Sequence, residues 1–291
     1  MKAKLWSVEG NSQKLDGGAM FGNAPKALWE RWTQPDSKNR IRLKCRALYA
    51  EFEKGPRFLF ETGIGAFFPP ELAERYGVET PERHRLLESL EEIQKSPADI
   101  DYVVLSHLHF DHAGGLLPSF KDREAGAEGL LFPNAKYVVG AEALARAKSP
   151  HSRDRASFIP ELPGLLEASG RLIVVEKQCP ELSPYLDFVY SEGHTPGQMH
   201  SLIKGETARL FFAGDLIPGA SWLHLPITMG YDRYPEKLID EKTELLSSHL
   251  NSDDWIFFTH DAEISASKFA LSDKGKYIAV QRHEHFQGFE L

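Results

Sequence analysis

Cysteine is nearly missing: Cys45 and Cys179 are the two in 291 residues. That excludes a disulfide framework and a thiolate metal cage; one bridge between the two stays open, and a pair of reduced thiols in a cytosolic protein is the plainer reading. Long apolar runs are missing too. No stretch reaches the ~18 residues that a membrane helix needs. The start, Met1 to Gly10, is basic but holds no apolar region of the kind found in a secretory leader. Nor is there an excess of basic charge. The formal net charge is −8, so the electrostatic footprint of a nucleic-acid binder is absent. No repeat, low-complexity tract or Gly/Ser-rich linker divides the chain, which therefore reads as one cytoplasmic domain over residues 1–291. With 42% hydrophobic and 26% charged residues it has the composition of an ordinary globular protein.

What is present is a mixture of short apolar runs and helical patterns. Ala47–Phe52, Arg57–Glu61, Tyr102–Leu105, Tyr137–Val139, Leu172–Val175, Phe188–Tyr190, Leu210–Ala213 and Trp255–Phe258 are rich in Val, Ile, Phe and Tyr and read as strands. Several lack polar alternation, which predicts strands covered on both faces. Leu86, Leu87, Leu90 and Ile93 predict a helix over Pro81–Lys95. Pro235–Leu250 repeats the pattern from an N-terminal proline, and Ala141–Lys148 is a shorter candidate. Layers of sheet and helix are expected. Leu15–Arg42 and His151–Gly164 look irregular, the first carrying Trp29 and Trp32. Loops of this length often bind or cover ligands.

The chemistry concentrates in Ser106-His107-Leu108-His109-Phe110-Asp111-His112-Ala113-Gly114-Gly115. Four metal-capable side chains fall between positions 107 and 112, at the end of an apolar strand candidate. His107 and His109 are two apart and so face one side of an extended backbone. Asp111 and His112 follow at the turn, and Gly114-Gly115 permits close backbone approach and a helix start. Imidazole and carboxylate suit zinc, with iron, manganese, nickel and cobalt compatible with the same donors. Three further strand candidates end in metal-capable residues: Gly193-His194-Thr195-Pro196-Gly197, Gly214-Asp215 and Thr259-His260.

Together these motifs resemble the metallo-β-lactamase-fold hydrolases, from about Phe58 to Asp261. Phe60-Glu61-Thr62-Gly63 is similar to the family's strand and turn beside the site, with Glu where Asp is usual. The resemblance implies a four-layer αβ/βα sandwich of two mixed sheets flanked by helices. It implies His107, His109 and His194 on a first metal, Asp111, His112 and His260 on a second, and Asp215 bridging them. Two ions about 3.5–4 Å apart can share a hydroxide at neutral pH, which would attack a carbonyl or phosphorus. Asp111 would take a proton or orient that nucleophile. Glu61, Thr62 and Thr195 are candidates for holding the ligands.

The resemblance also frames the substrate, a small molecule. Too little chain follows His260 for the helical domain of glyoxalase-II-like enzymes, and no inserted domain or basic surface suggests RNA processing. The complete ligand set fits acyl-homoserine-lactonase-like enzymes, acting on an ester or lactone. Residues 10–44 are expected to cap the active site, Asp16–Pro25 being similar to the capping loops of that group. The group carries a catalytic Tyr soon after the bridging Asp, but Leu216, Ile217 and Pro218 follow Asp215 here. Tyr231, or Tyr234, would have to reach the substrate instead. Trp222, His224 and Met229 would line an apolar pocket or pack as core. A phosphodiesterase or phosphotriesterase on the same fold and a mononuclear iron persulfide dioxygenase are the alternatives. A homodimer through the N-terminal loop stays open.

Overall fold

The computed structural model describes residues 2–250 and 252–291. Met1, part of the segment read above for a leader, and Asn251 lie outside them. In chain order the strands are β1 Ala3–Glu9, β2 Gln13–Asp16, β3 Arg40–Leu43, β4 Arg46–Phe52, β5 Arg57–Phe60, β6 Tyr102–Leu105, β7 Lys136–Gly140, β8 Leu172–Val175, β9 Leu186–Ser191, β10 Gln198–Lys204, β11 Arg209–Phe212, β12 Trp255–Phe257, β13 Ala266–Leu271, β14 Tyr277–His283 and β15 Gln287–Glu290. One mixed sheet has the order β15-β1-β4-β5-β6-β7-β8, a second has β14-β13-β12-β11-β10-β9, and β2 pairs with β3 as a separate ribbon.

Strand alternation builds the layers. Phe58, Phe60, Val104 and Val138 point inward from the first sheet. They meet Phe188, Met199, Leu210, Phe212 and Phe257 of the second in one buried cluster. The intervening residues point outward. Leu59, Val103, Tyr137 and Val139 pack under the helices Arg85–Glu92, Ala141–Lys148 and Leu162–Ala168. Leu202, Phe211 and Ile256 pack under Leu238, Leu245 and Leu246 of the helix Pro235–His249. Both sheets are thus covered on both faces, as their lack of polar alternation predicts, and the four-layer αβ/βα sandwich follows. Burying each large apolar side chain contributes about 1.5–3 kcal/mol.

Strand direction decides where the site falls. β5 and β6 run parallel with Phe60 opposite Val104, and β11 and β12 run parallel with Phe212 opposite Phe257. β9 and β11 each pair antiparallel with β10, so they share a direction. The carboxyl ends of these five strands open onto one edge of the sandwich, where ligands collect in α/β folds.

Two boundaries differ from expectation. The helix predicted over Pro81–Lys95 is shorter, Arg85–Glu92: it starts only after His84, whose backbone (φ −85°, ψ 83°) is not helical, and Gln94 (φ 58°) adopts left-handed backbone that a helix cannot continue through. An α-helical turn already precedes Gly114-Gly115, at Phe110–Ala113, and a 3₁₀ turn starts on them, Gly114–Leu116. The close approach they permit is realised: a Cβ on Gly115 would lie 2.0 Å from the Thr62 carbonyl oxygen. Among the described residues both cysteines are free, and no helix is long and apolar enough to cross a membrane.

Candidate metal centre

Each strand end delivers one part of the site. β6 stops at Leu105, so His107 and His109 stand on the loop beyond it, their rings edge to face at 4.4 Å. The single turn Phe110–Ala113 then carries Asp111 and His112 back towards them. His194 follows β9, Asp215 follows β11 across Gly214 (φ 49°), and His260 follows β12. All seven side chains named from the sequence meet here.

They meet as two groups that share one carboxylate. The ligand-capable atoms of His107, His109, His194 and Asp215 lie within 4.8 Å of one another, as do those of His112, Asp215 and His260. Asp215 Oδ2 is 3.1 Å from His194 Nε2, while Asp215 Oδ1 is 3.1 Å from His260 Nε2 and 3.3 Å from His112 Nε2. Asp111 sits on the second side, its Oδ2 3.6 Å from His260 Nε2.

The outer hydrogen bonds fix which nitrogen each ring presents. His112 Nδ1 donates to Glu61 Oε2 at 2.8 Å, His194 Nδ1 to Asp232 Oδ1 at 2.9 Å, and His260 Nδ1 to the Lys44 carbonyl at 2.6 Å. Ser106 Oγ donates to Glu61 Oε1 and so accepts from His107 Nδ1 at 2.9 Å. In all four rings Nε2 is left with a lone pair aimed inward. Glu61 serves two of them from a backbone at φ 61°, an uncommon conformation for a non-glycine residue that a buried network holds in place. Of the other two candidates for holding ligands, Thr62 donates through Oγ1 to the His112 carbonyl at 3.1 Å, and the Thr195 hydroxyl is buried without a partner.

Atoms without protein partners point to what the cluster holds. His107 Nε2 and Asp215 Oδ1 are buried and make no hydrogen bond, as is His109 Nε2. Facing nitrogens close to 3.2 Å between His194 Nε2 and His109 Nδ1, and to 3.1 Å between His260 Nε2 and His112 Nε2. Where both are Nε2 with outward Nδ1–H donors, at His260 and His112, two lone pairs cannot satisfy each other, and burying them unpaired is costly. Burial holds His107 and His109 well below the usual histidine range. Burial also disfavours charge on His112 and His260. There, however, the carboxylates outweigh it, Glu61 and Asp215 at His112 and Asp215 at His260, and both pKa values rise. Asp215, although buried, is driven well below the carboxylate range by His112, His194 and His260. The centre is built to receive positive charge, and imidazole nitrogens with carboxylate oxygens fit a pair of divalent metal ions.

A cavity of about 640 Å³ opens over these residues. Its floor includes His109, Asp111, His194, Asp215 and His260. Lys14, Leu15, Asp16 and Met20 of the N-terminal segment form one wall, and Arg153, Asp154, Ala156 and Ser157 of the irregular 151–164 stretch form another. Met229 and Tyr231 line it; Tyr234 does not. Burial, with Asp111 and Asp16 nearby, raises the Tyr231 phenol, which keeps its proton. Trp222 packs away from this cavity, stacked on Phe21 at 4.5 Å, and His224 lines a separate depression beside it.

Three supporting groups went unread in the sequence: Asp232, the Lys44 carbonyl, and Gln13, whose Nε2 donates to Asp111 Oδ2 at 2.7 Å. Each reaches its partner from far along the chain. Only Asp232 had a local signal, as a carboxylate beside Tyr231.

A family model described as the metallo-β-lactamase superfamily matches residues 44–126. An N-acyl homoserine lactonase of Bacillus cereus is 29% identical over 186 residues, which is 59% of this chain and 63% of that protein, less than two thirds of its length. A probable metal-dependent hydrolase from Staphylococcus aureus superposes with a TM-score of 0.83 at 27% identity, covering 96% of this chain and 97% of that one. AidC, a dizinc quorum-quenching lactonase in complex with a product, shares the fold with a TM-score of 0.75 at 20% identity, covering 96% and 95%. Residues 44–126 thus match the metallo-β-lactamase superfamily model, and the two stacked sheets with histidines at their common edge resemble the fold of solved metal-dependent hydrolases.

Proposed function

We propose that this chain is a dinuclear metal-dependent hydrolase that opens an ester or lactone bond. One observation carries the reading: the two oxygens of Asp215 face different nitrogen groups, His194 on one side and His112 with His260 on the other. His107, His109 and His194 would hold one ion, and Asp111, His112 and His260 the other, with Asp215 between them. Zinc suits these donors. When bound, such a metal pair supplies a hydroxide near neutral pH and a Lewis acid for the oxygen that gains charge.

The chain's own groups supply the rest. The cavity offers an apolar acyl chain the side chains of Leu15, Met20 and Met229. Water oxygen adds to the acyl carbon, the acyl C–O bond breaks, and the departing oxygen takes a proton. Tyr231, kept protonated, donates a hydrogen bond to the carbonyl or departing oxygen. Asp111, steadied by Gln13, orients the attacking water, receives its proton on the carboxylate and returns that proton to the departing oxygen. Residues 1–291 act as one domain in this reading, with 10–44 as the cap over the site. The relatives that are named lactonases favour an N-acyl lactone as the substrate class.

The test is a panel of N-acyl lactones, aryl esters and phosphodiesters given to the zinc-loaded protein. Lactone opening faster than phosphodiester cleavage is expected. Turnover confined to phosphodiesters, or oxygen uptake with persulfide in the iron-loaded protein, would overturn the reading.

A further inference from the structure

The cavity wall combines an apolar interior with a cationic mouth, on a protein whose net charge is −8. Met20, Leu43, Phe110 and Met229 are buried, whereas Lys38, Arg75 and Arg153 are exposed around them. Lys14 and Arg40 add two more cations to the same wall. Carboxylates do not balance them. Asp154 is bound by Arg146 at 2.6 Å, and Asp111 and Asp215 belong to the floor that two divalent ions would neutralise. Asp16 is the remaining wall carboxylate, already accepting from Ala19 N and Asn39 Nδ2. Lys14 leans on Glu79 at 3.7 Å and Arg40 on Asp36 at 2.9 Å. Among the described residues Lys38, Arg75 and Arg153 make no ion pair. Arg75 lies over the Tyr76 ring, and Arg153 is tethered through one amino group to the Gly230 carbonyl at 2.9 Å.

From this arrangement we infer that the substrate carries an anionic group at the end remote from its scissile bond, held at the mouth by Lys38, Arg75 and Arg153. The inference rests on the hydrolase reading for the identity of the scissile end. An acyl chain lying on the apolar wall would carry its terminal carboxylate or phosphate out to the three cations. The unpaired cations at the mouth would also draw such a molecule in by long-range attraction.

The experiment measures binding and turnover separately on the full, zinc-loaded chain. The binding probes are three N-acyl cyclopentylamides of equal length, which contain no ester, ending in methyl, carboxylate or trimethylammonium. Calorimetry should rank carboxylate about tenfold tighter than methyl, with trimethylammonium weakest. The gap should close near 1 M salt, where the Debye length falls to about 3 Å. It should also close in Lys38→Gln/Arg75→Gln/Arg153→Gln and persist in Lys38→Arg/Arg75→Lys/Arg153→Lys. A terminal phosphate probe that outranks carboxylate would assign the anion as phosphate. Equal affinities, or a carboxylate preference that survives the triple glutamine variant and so belongs to the metals, would overturn the inference. The matching lactones test the reading beneath it. Preference without lactone opening would remove the hydrolase and leave the anion site, and opening without preference would do the reverse.

Discussion

His107, His109, Asp111 and His112 lie on one stretch of backbone, whereas His194, Asp215 and His260 arrive on three strand ends of the other sheet. The first half needs only a strand end and one helical turn to bring its donors together. The second exists only once β9, β11 and β12 are in register. Its rings are also aimed from afar, His194 by Asp232 and His260 by the Lys44 carbonyl. The local half therefore carries its donors on one stretch of sequence, with Glu61 reaching in to orient His112 and, through Ser106, His107, while the assembled half depends on the whole fold even to gather its donors.

Asp215 joins the halves, so its removal breaks the comparison outright. Asp215→Ala should lose at least one metal per chain and lower kcat/KM by about 10³-fold or more, several kcal/mol of charge stabilisation; metal analysis and steady-state kinetics check this. Turnover near wild type would dissociate the bridge from catalysis. Next in size is Tyr231→Phe, which should lower kcat by about 10²-fold with metal content unchanged. An unaltered kcat would make Tyr231 a wall residue only.

Supporting groups sharpen the contrast further. Asp232→Asn should weaken metal binding at the site of His107, His109 and His194 by about 10–100-fold, read by chelator competition. Equal affinities would mean that β-strand register alone aims His194.

The smallest effect is a pH slope in stability. Lys242 Nζ is buried and donates to the carbonyls of Trp222 and Ile227, which tie the helix Pro235–His249 to the loop that carries Met229 and Tyr231. Burial pushes its pKa down to about 7. The unfolded chain keeps that proton up to about pH 10.4. Between these values the unfolded state binds more protons, so this group makes stability rise with pH. Urea midpoints measured from about pH 7 to 9 should climb in wild type, with a flatter climb in Lys242→Met.

How much of this was legible in the sequence follows the same division. The segment 107–112 announced itself because its donors are contiguous. His194, Asp215 and His260 were readable only because each ends an apolar run, and because the set resembles a known family. β10 was missed since Gln198–Lys204 mixes His, Ser and Gln into a strand buried along nearly its whole length. β13, β14 and β15 were missed because they lie at or near exposed edges and carry charge. Asp232, Gln13 and the Lys44 carbonyl act through single hydrogen bonds across the fold, which leave no periodic trace. The choice between Tyr231 and Tyr234 was equally closed, since it turns on which side chain faces the cavity.

The most direct test is metal content per chain by plasma mass spectrometry, for wild type and His260→Ala after zinc loading and desalting. About two ions in wild type and about one in the variant, with the remaining ion held by His107, His109 and His194, is the expected result. One ion in both proteins would contradict the two-metal centre and leave His112 and His260 as supports for a single ion.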